Sequence, residues 1–133
     1  MPATILVVDD ERNILLTLSQ ALQLEGYKVE LASDAQVALD IVAARPIDAV
    51  LMDVKMPVMD GVQATRLIRA LPAPVSALPI LALTANADPR DEADYLAAGM
   101  DGVAQKPIQP DVMLDAIRRV LSATPDDQAA QAA

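Results

Sequence analysis

The sequence contains no cysteine, histidine, tryptophan or phenylalanine. Without cysteine there are no disulfides and no thiolate metal site, so nothing requires an oxidising compartment. Without histidine, zinc sites of the usual kind and Ser-His-Asp catalysis are excluded. Two tyrosines are the only aromatics in a chain that is 53% apolar, so the core must be built from Val, Leu, Ile, Ala and Met. Basic residues are also sparse: ten Lys and Arg face nineteen Asp and Glu, for a net charge of −9. Phosphate neutralisation needs clustered cations, so direct nucleic-acid binding is not expected. Long apolar runs are lacking too. The longest uncharged window, residues 70–87, contains Pro72, Pro74 and Pro79 and ends in polar Thr84 and Asn86, which argues against membrane insertion. The start, Met1-Pro-Ala-Thr-Ile, has neither the basic region nor the apolar core of a signal peptide. The expectation is one soluble, cytoplasmic domain, able at 133 residues to bury roughly 65–70% of its unfolded surface.

What is present alternates. Thr4-Ile-Leu-Val-Val is a β-branched apolar run that reads as a strand buried on both faces. Asp10 is a candidate N-cap for a helix carrying Ile14, Leu15, Leu18, Ala21 and Leu22, with Gly26 as its stop. Lys28 to Ala32 keeps polar residues and reads as an edge strand. Ser33 with Gln36 resembles a capping box before a helix through Val37, Leu39, Ile41 and Val42. Asp48 to Asp53 is the third strand, and Asp60 can cap a helix with Val62, Leu67 and Ile68. A Pro-rich linker at 72–78 leads to a strand at Ile80 to Thr84. Asp88-Pro89 then opens a short helix that ends at Gly99. Gly102 to Gln105 is a weak fifth strand, and Pro110 starts a last helix with Met113, Ile117, Val120 and Leu121 on one face. Residues 1–122 thus form the domain, and the Ala/Gln-rich stretch 123–133 reads as a disordered tail.

Five strand–helix units in strict alternation imply a parallel sheet with helices on both faces. In such sheets the functional crevice lies at the carboxyl ends of the strands. Asp9 and Asp10, Asp53, Thr84 and Lys106 occupy or follow four different strand ends, and would share one site. Each alone has an ordinary reading: an acidic helix start, a turn, a strand-end residue, a loop. Together, three carboxylates at close range raise one another's pKa unless a cation sits among them, and oxygen ligands suit Mg²⁺. A carboxylate can also accept a phosphoryl group as an acyl phosphate, with a lysine and a hydroxyl binding the transferred oxygens. Asp53, alone at a central strand end, is the best nucleophile; Asp9 and Asp10 are better ion holders.

From residue 4 to about 121 the sequence resembles the receiver domain of two-component response regulators. The matching pieces are Ile5-Leu-Val-Val-Asp-Asp-Glu, Leu51-Met-Asp53-Val-Lys-Met-Pro-Val-Met-Asp-Gly61, Leu83-Thr84-Ala85-Asn86, and Ala97-Ala-Gly-Met-Asp-Gly followed by Lys106-Pro107. Two of these, Leu-Thr-Ala-Asn-Ala and Ala-Ala-Gly-Met-Asp, are most similar to receivers of hybrid histidine kinases. The resemblance implies a flavodoxin-like (βα)5 doubly wound parallel sheet of order 2-1-3-4-5. It implies that Asp53 takes a phosphoryl group from a sensor histidine kinase or a histidine phosphotransfer protein. Asp10 and Asp53 would hold Mg²⁺ with the backbone carbonyl of Lys55, while Asp9 acts through the ion's waters. Thr84 and Lys106 would bind the phosphoryl group, and Lys106-Pro107 would be cis. A downstream target protein would read the face made by the fourth helix, fifth strand and fifth helix, and a homodimer is compatible with this role. A chain without histidine can receive from a phosphohistidine but cannot supply one.

One position departs from the family. Where receivers commonly carry Tyr or Phe, three residues before the lysine, this chain has Val103, so the usual aromatic rotation is not available. Lys55 and Asn86 lie where the family tunes loss of the phosphoryl group. Val103 leaves open a phosphate-independent binding module. A Mg²⁺-dependent phosphatase using an aspartyl phosphate is a weaker alternative, since the second acid it needs two residues after the nucleophile is Lys55 here. The chain's own Met1 and its Ala/Gln end fit a stand-alone receiver, and an excised hybrid-kinase domain would look similar.

Overall fold

A computed structural model of the chain describes residues 2–85 and 88–122; the expected tail at 123–133 and Asn86 lie outside them. The chain runs β1 (Thr4–Val8), α1 (Arg12–Leu24), β2 (Lys28–Ala32), α2 (Ala35–Ala44), β3 (Ala49–Asp53), α3 (Gly61–Arg69), β4 (Ile80–Thr84), α4 (Pro89–Ala97), β5 (Gly102–Gln105) and α5 (Pro110–Ser122). All four strand pairings are parallel and the order is β2-β1-β3-β4-β5. This is the expected flavodoxin-like sheet, with β2 at an edge. Among the described residues, no helix is long and apolar enough to cross a membrane.

The period-2 geometry of strands divides the core cleanly. Leu6, Val8, Val50, Met52, Ile80 and Ala82 face α2, α3 and α4, where they meet Ala38, Val42, Ala64, Ile68 and Tyr95. Ile5, Val7, Ala49, Leu51, Leu81 and Leu83 face α1 and α5, where they meet Leu15, Leu18, Leu22, Met113 and Ile117. With both faces of β3 and β4 covered, every residue of those two strands is buried. An acid or hydroxyl at their ends therefore sits on a rigid frame.

Two helix caps differ from the spacing-based expectations. Glu11, not Asp10, occupies the N-cap of α1 and its side chain makes no capping hydrogen bond. Asp34, not Ser33, caps α2 by accepting from the Val37 N–H at 2.8 Å. Val37 and Leu67, both apolar, are exposed. The reason is that α2 and α3 turn small residues to the sheet, Ala35 and Ala38 in one and Gly61, Ala64 and Thr65 in the other, so the helices dock closely and bulky residues flank the contact. Asp60 does form a capping box with Gln63, and Asp88 caps α4 ahead of Pro89 as expected.

The Ala97-Ala-Gly-Met-Asp segment has a structural job of its own. Gly99 takes a φ of 108°, and its N–H and that of Met100 close the end of α4 on the carbonyls of Leu96 and Tyr95. The Gly99 carbonyl accepts from Arg69 Nε and Nη2 at 3.0 and 2.6 Å. Arg69 also donates to the carbonyls of Ser76 and Leu78 and to the Asp101 carboxylate. Asp101 in turn accepts from the Ile80 N–H at 2.8 Å. One guanidinium thus ties the end of α3 to the turn before β4 and to the end of α4. Replacing Arg69 by Ala strands several part-buried acceptors at once. The expected loss in urea unfolding is about 2–3 kcal/mol; a loss within experimental error would show the brace to be solvent-replaceable.

Candidate functional site

Backbone hydrogen bonding continues past the strands and fixes the side chains at their carboxyl ends. The Asp9 N–H donates to the Ala32 carbonyl at 3.1 Å, the Val54 N–H to Leu83 at 3.0 Å, and the Lys106 N–H to Thr84 at 2.7 Å. Asp53 lies opposite Leu83 and Thr84 opposite Gln105 in the ladder. The loop after β3 is folded hard against this end. The Gly61 N–H bonds the Val54 carbonyl at 2.8 Å, and a Cβ at position 61 would penetrate the Asp53 carbonyl oxygen, so only glycine fits. Within that loop Val58 has a φ of 70° and a fully exposed side chain, while Met59 N–H bonds the Pro57 carbonyl. Those are marks of a γ-turn, an uncommon position for a β-branched residue and one that the Pro57–Gly61 spacing did not reveal. Lys106-Pro107 is cis, as is Ala73-Pro74.

The expected residues meet. Carboxylate oxygens of Asp9, Asp10 and Asp53 lie within 4.8 Å of one another. Lys106 Nζ stands 2.9 Å from Asp9 Oδ2 and 3.3 Å from Asp53 Oδ1. Asp9 is fully buried, Asp53 and Thr84 are each 4% exposed, and Asp10 is exposed. Glu11, Asp53, Lys55, Thr84, Ala85 and Lys106 line an open cleft above them. Thr84 and Lys106 therefore border the same opening as Asp53, and Lys55 lies at its rim.

Electrostatically the site is short of positive charge. Asp9 Oδ1 accepts from the Glu11 N–H at 2.9 Å, and the buried Oδ2, which accepts no hydrogen bond from the described residues, has the Lys106 ammonium at 2.9 Å. Burial, followed by repulsion from Asp9, pushes the Asp53 carboxyl up to about 7, and the attraction of Lys106 offsets only part of this. For Lys106, burial alone would lower the pKa, but pairing with Asp9 and Asp53 outweighs it and the net shift is upward. Two buried acids, a third at the rim and one ammonium make a donor set that suits a hard divalent cation bound through oxygen.

Two features were not visible in the spacing. One is the Val58 turn. The other is Tyr95, which comes from α4, is 7% exposed, and brings its hydroxyl to 3.5 Å from Thr84 Oγ1. Tyr95 lies seven residues beyond the Asp88 cap and three before buried Ala98, which marks an inward helical face but not its proximity to Thr84.

The Asp53 shift sets a pH dependence. A proton held more tightly in the folded state adds stability that is complete below the unfolded pKa and is lost as pH rises through about 7. Metal-free protein is therefore expected to lose urea resistance between about pH 4 and pH 7. In an Asp53→Asn variant that part of the loss should vanish, and parallel pH profiles for the two proteins would overturn the assignment.

The sequence matches the family described as "Response regulator receiver domain" over residues 5–118. Response regulator MprA of Mycolicibacterium vanbaalenii is 41% identical over 134 residues, a match covering 100% of this chain and 57% of that protein. The chain thus spans a little over half the length of the curated relatives it matches. Among solved structures, the chemotaxis response regulator CheY4 of Vibrio cholerae superposes with a TM-score of 0.86 at 35% identity, covering 91% of this chain and all of that one. The signal receiver domain of a signal transduction histidine kinase from Syntrophus aciditrophicus gives a TM-score of 0.83 at 29% identity, covering 92% of each. The sheet order, the acids at its carboxyl edge and the match over residues 5–118 lead to one conclusion: the chain belongs to the response regulator receiver family of two-component signalling, whose general role is a phosphorylation switch rather than classical enzymatic turnover.

Proposed function

We propose that this chain accepts a phosphoryl group on Asp53 from a phosphohistidine of a sensor kinase or phosphotransfer protein. The observation that carries the reading is Asp53 itself. It is nearly buried, stands at the end of a central strand, faces a cleft and has one ammonium at 3.3 Å. An Asp53 carboxylate oxygen forms the new bond to phosphorus while the phosphorus–nitrogen bond breaks and its electron pair returns to the partner's imidazole. Lys106 meets charge developing on the transferred oxygens, and Thr84 offers its hydroxyl to one of them. Asp9, Asp10, Asp53 and the Lys55 carbonyl would hold Mg²⁺, which when bound supplies positive charge against the same oxygens. The mutual closeness of the three carboxylates, with one ammonium among them, supports that fit. The acyl phosphate adds about −1.5 to −2 charge at the strand end, by analogy with other phosphorylated side chains. That charge remodels the face of α4, β5 and α5 toward a downstream target protein.

Incubation with Mg²⁺ and a small phosphodonor, followed by mass analysis, is expected to show one acid-stable, base-labile phosphate, absent from Asp53→Asn. Removing the Lys106 ammonium in Lys106→Ala is expected to slow incorporation about 100-fold, roughly 3 kcal/mol at the barrier. Undiminished incorporation in Asp53→Asn would sink the assignment. Because Asp53 must lose its proton to bind the ion, Mg²⁺ affinity should rise with pH through about 7. A flat profile in a calorimetric titration would contradict the shared use of Asp53.

A further inference from the structure

Among the described residues, Thr84 touches neighbours of two different kinds. On one side it lines the cleft with Asp53 and Lys106. On the other its hydroxyl oxygen stands 3.5 Å from the hydroxyl of Tyr95, at the outer limit of a hydrogen bond. Thr84 continues the row of Ile80 and Ala82, the row that faces α4, and Ala82 pairs with Val103 in β5. Val103 is half-buried and packs against the same cluster as Tyr95 and Met100. The β5 position two residues before the Thr84 partner Gln105 thus carries a short aliphatic side chain, and the aromatic ring in this cluster comes from the helix.

We propose that Tyr95 is the side chain through which the state of the Asp53 site is read, its ring and hydroxyl answering the position of the Thr84 hydroxyl from helix α4. This rests on the reading of Asp53 as the phosphoacceptor and adds the step that follows. A threonine hydroxyl carries a single proton. When it swings toward a phosphoryl oxygen on Asp53, Oγ1 moves away from the Tyr95 hydroxyl, and a contact already at 3.5 Å is lost. Among the described residues the Tyr95 hydroxyl has no other hydrogen-bond partner, and a buried hydroxyl left unpaired is destabilised. The side chain must then shift or admit water. Its backbone is less free to respond, because the Tyr95 carbonyl accepts from the N–H groups of Ala98 and Met100 in the helix cap. Relief therefore falls on the Tyr95 ring and on the helix turns before it. Tyr95 is a positioning residue here; it does not line the cleft.

The composition makes this directly measurable, since Tyr27 and Tyr95 are the only aromatic residues. In a full-length Tyr27→Phe variant, tyrosine emission comes from Tyr95 alone. Mg²⁺ with a small phosphodonor is added while phosphate on Asp53 is counted by mass. The expected result is an emission change that grows with phosphate occupancy and disappears, at matched occupancy, in a Thr84→Ala version. Hydrogen exchange provides a second readout: occupancy should alter protection in α4, and Tyr95→Phe, which keeps the ring and the fold, should lose that response while taking up phosphate normally. Phosphate on Asp53 with unchanged Tyr95 emission overturns the inference and leaves the phosphoacceptor reading standing. An emission change that persists in Thr84→Ala overturns it too. Absence of phosphate from Asp53 overturns both.

Discussion

One ammonium held between two buried carboxylates is the constraint on which the rest of this structure turns. Lys106 lies 2.9 Å from Asp9 and 3.3 Å from Asp53, and a third acid, Asp10, stands at the rim. A single cation cannot neutralise three acids. The excess shows in the Asp53 pKa, raised to about 7, and in Asp9 Oδ2, which has the Lys106 charge nearby but no hydrogen bond from the described residues. Both are unfavourable for a domain whose only task is to stay folded. On the proposed reading they turn favourable with a divalent cation and a phosphoryl group bound, because the same field then binds ligands.

Holding that strain requires a stiff frame, and the parallel sheet provides it. The acids and the lysine are attached to strand ends whose hydrogen-bond ladders run on through Asp9, Val54 and Lys106. The strands beneath are buried on both faces at β3 and β4. Gly61 brings the start of α3 against the Asp53 carbonyl, closing the space through which the strand end could relax. Rigidity here is a condition of function: the small distances that set the Asp53 pKa are kept because the backbone carrying them cannot yield.

The run Thr4–Asp10, the strand ending at Asp53 and the Lys106-Pro107 pair were legible because they combine β-branched apolar runs with polar residues at one fixed place, the strand end. The alternation of five strand–helix units then placed them together without any knowledge of distance. Caps and helix faces were less legible. Asp34 and Ser33 are adjacent and chemically similar, and only the backbone decides which of them reaches the Val37 N–H. Val37 and Leu67 look like core residues by bulk, yet α2 and α3 approach the sheet through Ala and Gly. Arg69 and Tyr95 were opaque for a different reason. Their partners lie 30 residues away at Gly99 and 11 away at Thr84, and no local pattern encodes such a pairing.

Among the described residues, the two ends of the fourth helix are held by different kinds of contact. At its C-terminal end, Gly99 and Met100 close the cap, Arg69 grips the Gly99 carbonyl, and Asp101 is bonded to both Arg69 and the Ile80 N–H. Displacing that end would break several part-buried hydrogen bonds together, many of them to a charged group. At its N-terminal end, the cap is the exposed Asp88 side chain bonded to the Arg90 N–H. On the proposed reading, a disturbance that begins at Thr84 and is felt by Tyr95 meets a braced end toward β5. The α4–β5 corner is then the anchor against which any change in α4 would act.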